Sequence, residues 1–239
     1  KFKTLKEGVK LSTSYKFFSR FSTLSNFRIT KKQMANIASP LTSYIDFSIR
    51  DTSLVAYNAL NTNTLFFNKG NVKFDVQLGN RNNQNRIIQV SGREDRGLDE
   101  YFLRTRFNLK NNTDMFLNVE KSNKSYQSEA FADRNLDIDI LRIRPEISIR
   151  PSQNMRVVTK YSFQKKNQQI LTKDNATLHE VTAEYTYRKA NLYSIDMSIS
   201  FVSILFSGIA NSPIEYDMLE GLKNGKNYLW NILYTKRIA

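Results

Sequence analysis

The residues best suited to chemistry are few. The 239-residue chain has no cysteine and one histidine, His179. That histidine shares its alternating positions with Val181 and Ala183, so we expect it on the apolar side of a strand, where a base working in water would be poorly placed. A serine-histidine-acid set needs converging members, and nothing singles out a partner serine. We therefore expect His179 to be structural or interfacial and the protein not to be an enzyme.

Metal and phosphate chemistry have equally weak signals. Asp137 and Asp139 share one strand face beside Glu129 and Asp133, and such oxygens could hold Ca²⁺. Their spacing matches no metal loop, so a solvated loop rim is the favoured interpretation. The Arg-rich and Asn-rich stretches GREDRG and NRNNQNR lack the glycine pattern that cradles phosphate. The sequence predicts neither a metal nor another cofactor.

The charge balance points to an anionic surrounding. The chain has 36 Lys plus Arg against 22 Asp plus Glu, a formal net charge of +14. Binding of single-stranded nucleic acid needs aromatic and basic side chains on the same face, whereas here they lie mostly on opposite faces. Nucleic acid is therefore not an expected partner. We expect instead attraction to lipid head groups and lipopolysaccharide.

A period of two runs through most of the chain. From Leu141 to Arg150, odd positions are apolar or proline and even positions are polar or charged, which is typical of a strand with two different faces. A phase change at Ile140–Leu141 predicts a bulge there. No apolar run reaches the roughly 20 residues of a membrane helix. The same alternation occurs in 72–78, 101–109, 115–119, 155–163, 181–187, 193–201 and 228–234.

The connections predict how the strands are arranged. Tight turns alternate with long polar loops at about 79–98, 122–135, 165–176 and 207–226. A meander of this kind has all its tight turns at one end and all its long loops at the other, as in outer-membrane barrels. A soluble β-sandwich or lipocalin-like barrel also alternates, but has less reason to segregate loop lengths.

Aromatic and charged residues refine this prediction. Aromatic side chains near strand ends suit a membrane interface, although β-propensity alone also places them in strands. A register that sets Arg156 opposite Glu184 also sets Lys160 opposite Glu180, which predicts two charge pairs lining a lumen, each contributing roughly 0.2–1 kcal/mol. The predicted interfacial aromatic residues are Phe107, Tyr187, Tyr193, Tyr228 and Trp230.

Two segments resemble known outer-membrane proteins. SPIEYDMLEGLKNGKNYLWNILYTKRIA resembles a penultimate loop and strand of Bacteroidota outer-membrane β-barrels, and TSYKFFSRFSTLSNFRI resembles a stretch upstream of it. The resemblance is diffuse over much of the chain and carries no catalytic residue. It implies a barrel in the bacterial outer membrane.

The sequence thus predicts an all-β antiparallel meander of about 10–12 strands that forms a transmembrane β-barrel or its C-terminal part. Residues 1–40 are partly strand, and residues 41–239 are a barrel portion that we expect to be incomplete at the C-terminus, because no terminal aromatic residue follows the last segment. The expected function is that of a non-enzymatic structural or accessory subunit of a surface transport or secretion assembly, with other outer-membrane proteins as partners. The first alternative is a soluble periplasmic or surface β-domain binding an acidic glycan. A second alternative is hydrolysis around His179.

Overall fold

A single antiparallel sheet dominates the protein. The computed structural model describes residues 2–18, 20–36, 52–89, 92–170, 173–190 and 192–236. Within these residues, eleven strands pair in chain order, each with the next. This confirms the predicted meander of about 10–12 strands. The strands are β1 Phe2–Phe18, β2 Phe21–Asn36, β3 Thr52–Phe67, β4 Phe74–Gln89, β5 Gly92–Lys110, β6 Thr113–Ser128, β7 Leu136–Ser152, β8 Met155–Gln168, β9 Asn175–Lys189, β10 Tyr193–Ser207 and β11 Gly225–Lys236.

In the residues that the structure describes, helical structure is confined to two short elements. A one-turn 3₁₀ helix spans Ala132–Arg134, and helix α1 spans Pro213–Leu219. Helix α1 begins where the Ser212 hydroxyl accepts a hydrogen bond from the Glu215 backbone N–H at 3.0 Å, which satisfies an otherwise unpaired donor. In the described part of the chain, neither helix has the length and apolar character needed to cross a membrane.

The predicted long loop at 79–98 is wrong, because strand pairing continues through it. Strand β4 ends at Gln89 and β5 begins at Gly92. Apolar alternation disappears there because both faces carry polar side chains, which pair across the strands. Arg86 Nε donates to Asp95 at 2.6 Å, for example. The other predicted loops are likewise shorter, since β6, β8, β9 and β10 extend into them.

From β5 onward, the connections are shorter at one end of the sheet than at the other. At one end, β5 and β6 are joined by 111–112 and β7 and β8 by 153–154; we call this the turn end. At the opposite end, which we call the loop end, 129–135, 169–174 and 208–224 join successive strands.

One face of the sheet, the apolar face, carries the odd positions of β5 to β10. The segments whose alternate residues place apolar side chains on this face are each about nine residues long. They are 101–109, 141–149, 155–163, 179–187 and 193–201. That length matches the 9–11 residues of a tilted transmembrane strand. The even positions of the same strands form the opposite face, which we call the charged face. In the described pairings, β1 and β11 each have one neighbouring strand.

Candidate functional site

A loop between the last two strands folds over the charged face. Residues 208–224, which we call the inserted loop, carry helix α1 across the loop end of the sheet. Met218 is fully buried and Ile138 beneath it is 1% exposed. The buried cluster comprises Leu136, Ile138, Ala176, Leu178, Val202, Ile204, Ile214, Met218 and Leu219.

This cluster explains the phase change that the sequence shows at Ile140–Leu141. Ile138 lies on the charged face under α1, whereas Leu141 lies on the apolar face. The pairing of β6 with β7 passes through this region without a register shift, so the predicted bulge is wrong. The apolar side of β7 changes along its length. Near the loop end its aliphatic side chains pack under α1 on the charged face, whereas from Leu141 onward they lie on the apolar face. The sequence predicted the long loop at 207–226 but not that it folds over the charged face, although the even-position aliphatic residues were the signal for this packing.

Charged residues fix the inserted loop to three strands. Lys166 of β8 donates to Glu220 Oε1 at 2.9 Å and to the Met218 carbonyl at 2.8 Å, and its side chain is only 4% exposed. Arg142 of β7 lies 3.7 Å from Glu220, and Lys124 of β6 lies 2.7 Å from Asp217. We call these five side chains, Lys124, Arg142, Lys166, Asp217 and Glu220, the loop clasp. It holds the loop electrostatically where the apolar cluster ends.

The loop clasp shifts the pKa values of Lys166 and Glu220, which lie outside the apolar segment 155–163. Burial lowers the pKa of Lys166, and its hydrogen bond and charge interaction with Glu220 only partly oppose this. Burial alone would raise the pKa of Glu220, but the hydrogen bond and charge of Lys166, with Gln164 and Arg142, hold that pKa below its ordinary 4.5. The carboxylate of Glu220 is therefore favoured while the loop is docked.

Acid is expected to loosen the inserted loop. Because the pKa of Glu220 is lowered on docking, its contribution is complete above pH 4.5 and is lost as the pH falls through the lowered value. Hydrogen exchange at the Tyr216 and Gly221 amides, corrected for intrinsic rates, should be faster near about pH 3 than near about pH 6. Glu220→Gln, which carries no ionisable group, should show a smaller pH step. An equal step in both proteins would contradict this role of Glu220.

The predicted charge partners are corrected by the register of β8 and β9. Arg156 lies opposite Thr186 and Lys160 opposite Thr182, so the strands are shifted by two residues from the predicted alignment. The Lys160 ammonium instead reaches Glu184 at 2.6 Å. The shift preserves both faces, which is why alternating charge could not distinguish the two registers.

The remaining predicted members have other neighbours. Arg156 Nε donates to the Ser148 hydroxyl at 3.0 Å, and Arg156 Nη2 lies 4.0 Å from Glu146 Oε1. Glu180 accepts a hydrogen bond from the Thr182 hydroxyl at 3.1 Å. Both belong to the charged face, but neither forms the pair that the sequence predicted.

The predicted aromatic residues lie on the apolar face in two rows. Near the turn end, Tyr187 and Tyr193 stack with ring centroids 5.7 Å apart, and Phe107 stacks with Phe74 at 6.4 Å. Nearer the loop end, the Tyr228 and Phe201 ring centroids are 5.2 Å apart. Trp230 pairs with Ile199, one row inside Phe201, and is 75% exposed. An interfacial role for these rings remains a prediction.

The candidate chemical residues are engaged with neighbours. The His179 Nδ1 lies 2.8 Å from the Tyr161 hydroxyl on the apolar face. Asn123 Nδ2 donates to Asp137 at 2.5 Å and to Asp139 at 3.1 Å. Among the residues that the structure describes, no three His, Cys, Asp or Glu side chains are grouped to hold a metal ion.

Comparison with known proteins gives remote structural likeness only. No family model matches the chain, and no curated protein matches it. It is similar to OmpTdeltaL8, a loop L8 deletion mutant of OmpT, an outer membrane protein of Vibrio cholerae, with a TM-score of 0.41 and 9% identity over 98% of both chains. It is also similar to in-vitro folded OmpT of the same organism, with a TM-score of 0.38 and 10% identity over 85% of this chain and 86% of that one. These likenesses do not support the resemblance to Bacteroidota proteins.

One functional prediction is corrected at this point. We expected a protein without enzymatic activity, on the ground that no catalytic motif stands out in the sequence. That prediction was wrong, since the lack of a linear motif cannot show the lack of an activity. The structures with a similar strand arrangement are chains named OmpT, at 9–10% identity. Linear motifs alone cannot decide the question, since catalytic groups converge in space rather than in sequence.

Proposed function

We propose that the protein forms barrel wall in the bacterial outer membrane and acts as a structural or accessory subunit of a surface transport or secretion assembly. The main support for this proposal is the exposure of the apolar face. It exposes large side chains across neighbouring strands, such as Val181, Ile199 and Ile232, while the described core lies on the opposite face. A water-soluble sheet rarely leaves so extended an apolar surface uncovered, whereas lipid covers it in a membrane.

The charged face supports an accessory role rather than that of a wide pore. Arg104 and Arg142 flank Glu120 at 3.8 and 3.4 Å, and Lys160 reaches Glu184 at 2.6 Å. Charge pairs across neighbouring strands fill the space beside the wall, and the inserted loop covers its loop end. A narrow, salt-bridged interior follows from both features.

The end strands support association with further strands. In the described pairings, β11 has β10 as its one neighbour, and its Trp230 and Tyr234 are exposed on the apolar face. Backbone N–H and C=O groups facing lipid without partners cost several kcal/mol each. The free edge of β11 therefore favours pairing with another membrane-embedded strand, as a subunit within an assembly would provide.

Three measurements test this function. The folded protein should require detergent and should migrate differently on a denaturing gel before and after heating. In planar bilayers it should show little steady conductance, because its interior is paired and covered. A large steady conductance would argue for an open pore, and a protein that stays in solution without detergent and binds an acidic glycan would support the soluble alternative instead.

A further inference from the structure

An open groove of about 610 Å³ crosses the apolar face over β2 to β6. Its floor is a single cross-strand row in which each residue pairs with the next. Leu65 and Leu78 are exposed in this row, so the floor offers apolar surface to whatever fills the groove. The row consists of Thr23, Leu65, Leu78, Leu103 and Val119.

The rim of the groove is polar and cationic. The next outward row toward the loop end lies two residues further along each strand, about 7 Å away. The surface therefore changes from apolar to polar within one step. This second row consists of Ser25, Asn63, Asn80, Tyr101 and Lys121.

Packing on the charged face holds the groove floor in place. The Phe102 ring is buried against Gly79, where an added Cβ would lie 2.4 Å from the ring and 2.6 Å from the Asn63 carbonyl oxygen. Arg104 in turn lies over the Phe102 ring, 4.5 Å from its centroid. Because this side is closely packed, the sheet cannot fill the groove by shifting inward.

Two lysine side chains lie in the row next to the apolar floor, toward the loop end. Lys121 and Lys165 are both exposed and both pair with Leu141, one from each side, so their strands are about 10 Å apart. The nearest carboxylates on this face, Asp99 and Asp139, lie one row further toward the loop end. Both already accept hydrogen bonds from asparagine side chains.

We propose that this groove holds one acyl chain of lipid A, with a lipid A phosphate against the Lys121 ammonium. The inference rests on the proposed membrane function, which places the loop end of the sheet at the outer leaflet. The apolar floor suits a hydrocarbon chain, and the polar rim lies where the head group begins. An ammonium at that level forms a charge-assisted hydrogen bond with phosphate.

The charge requirement is tested by titrating lipid A into the folded protein in detergent, with bound lipid counted by native mass spectrometry. Lys121→Glu should weaken binding about tenfold or more, because it replaces attraction by repulsion at the phosphate. Lys189→Glu is the matched control, with the same charge change on the same face at the turn end, and should bind as the unaltered protein does. Equal weakening in the two variants would overturn the proposal.

The groove itself is tested by Val119→Trp, which fills the floor without a charge change. Ala183→Trp lies on the same face outside the groove and serves as the control. Val119→Trp should lose lipid A binding while keeping heat-modifiable migration, and dephosphorylated lipid A should bind the unaltered protein about tenfold more weakly. Binding that survives Val119→Trp, or that is no tighter than for a zwitterionic phospholipid, would overturn the lipid site alone. A protein that is neither detergent-dependent nor heat-modifiable would overturn the membrane function as well.

Discussion

Replacing Met197 with arginine is expected to destabilise the membrane-folded protein by about 2–4 kcal/mol, because the new charge would face hydrocarbon near the middle of an apolar segment. Met197 lies on the apolar face between Tyr185 of β9 and Ile232 of β11, with no carboxylate directly opposite. The free energy of unfolding, measured by urea titration of the heat-modifiable form in lipid vesicles, gives the result.

Ser198→Arg is the matched control. Ser198 is the next residue of β10 but points to the charged face, directly opposite Glu184. A guanidinium there can pair with a carboxylate, so the change in the free energy of unfolding should stay within about 1 kcal/mol. A larger loss for Ser198→Arg than for Met197→Arg would mean that the apolar face is the interior, and the membrane assignment would fail.

Met218→Asp is expected to release the inserted loop while the strands stay paired. Met218 is fully buried in the apolar cluster with Ile138 and Val202, so an ionised carboxylate would lose its hydration among aliphatic side chains. That cost, about 3 kcal/mol or more, corresponds to roughly a hundredfold rise in the open population. Hydrogen exchange at the Tyr216 and Gly221 amides should accelerate accordingly, and the steady conductance should increase.

The control for this prediction lies in the same helix. Tyr216 is 74% exposed, so Tyr216→Asp adds the same charge without burying it and should leave exchange and conductance nearly unchanged. If both variants release the loop, the added charge and not the apolar cluster is responsible. If neither does, the loop is held by the clasp alone.

The sequence determined the strands and their two faces. Alternation of apolar and polar side chains over 101–109, 141–149 and 193–201 is a property of each segment alone, so it could be recognised without knowing any partner. Short hairpins then make sequential antiparallel pairing the simplest topology. The meander and its strand number were predictable for these reasons.

Register and loop length required the tertiary structure. A slip of two residues leaves every side chain on its own face, so Lys160 could be matched with Glu180 as readily as with Glu184. In 79–98 both faces are polar, which removes the hydrophobic signal although cross-strand pairs such as Arg86 with Asp95 still hold the hairpin. The residue pattern within one segment cannot predict a pairing that is stabilised only by contacts between two strands.

The candidate site was decided by tertiary contacts that join distant parts of the chain. Lys166 and Glu220 are far apart in sequence, and neither stands out until the inserted loop brings them within 2.9 Å. The groove likewise exists because five strands place one residue each in a single row. The sequence by itself determined which side of each strand is apolar, since that depends on residue type alone, whereas only the fold decided which residues meet, because meeting depends on register and on how a loop packs.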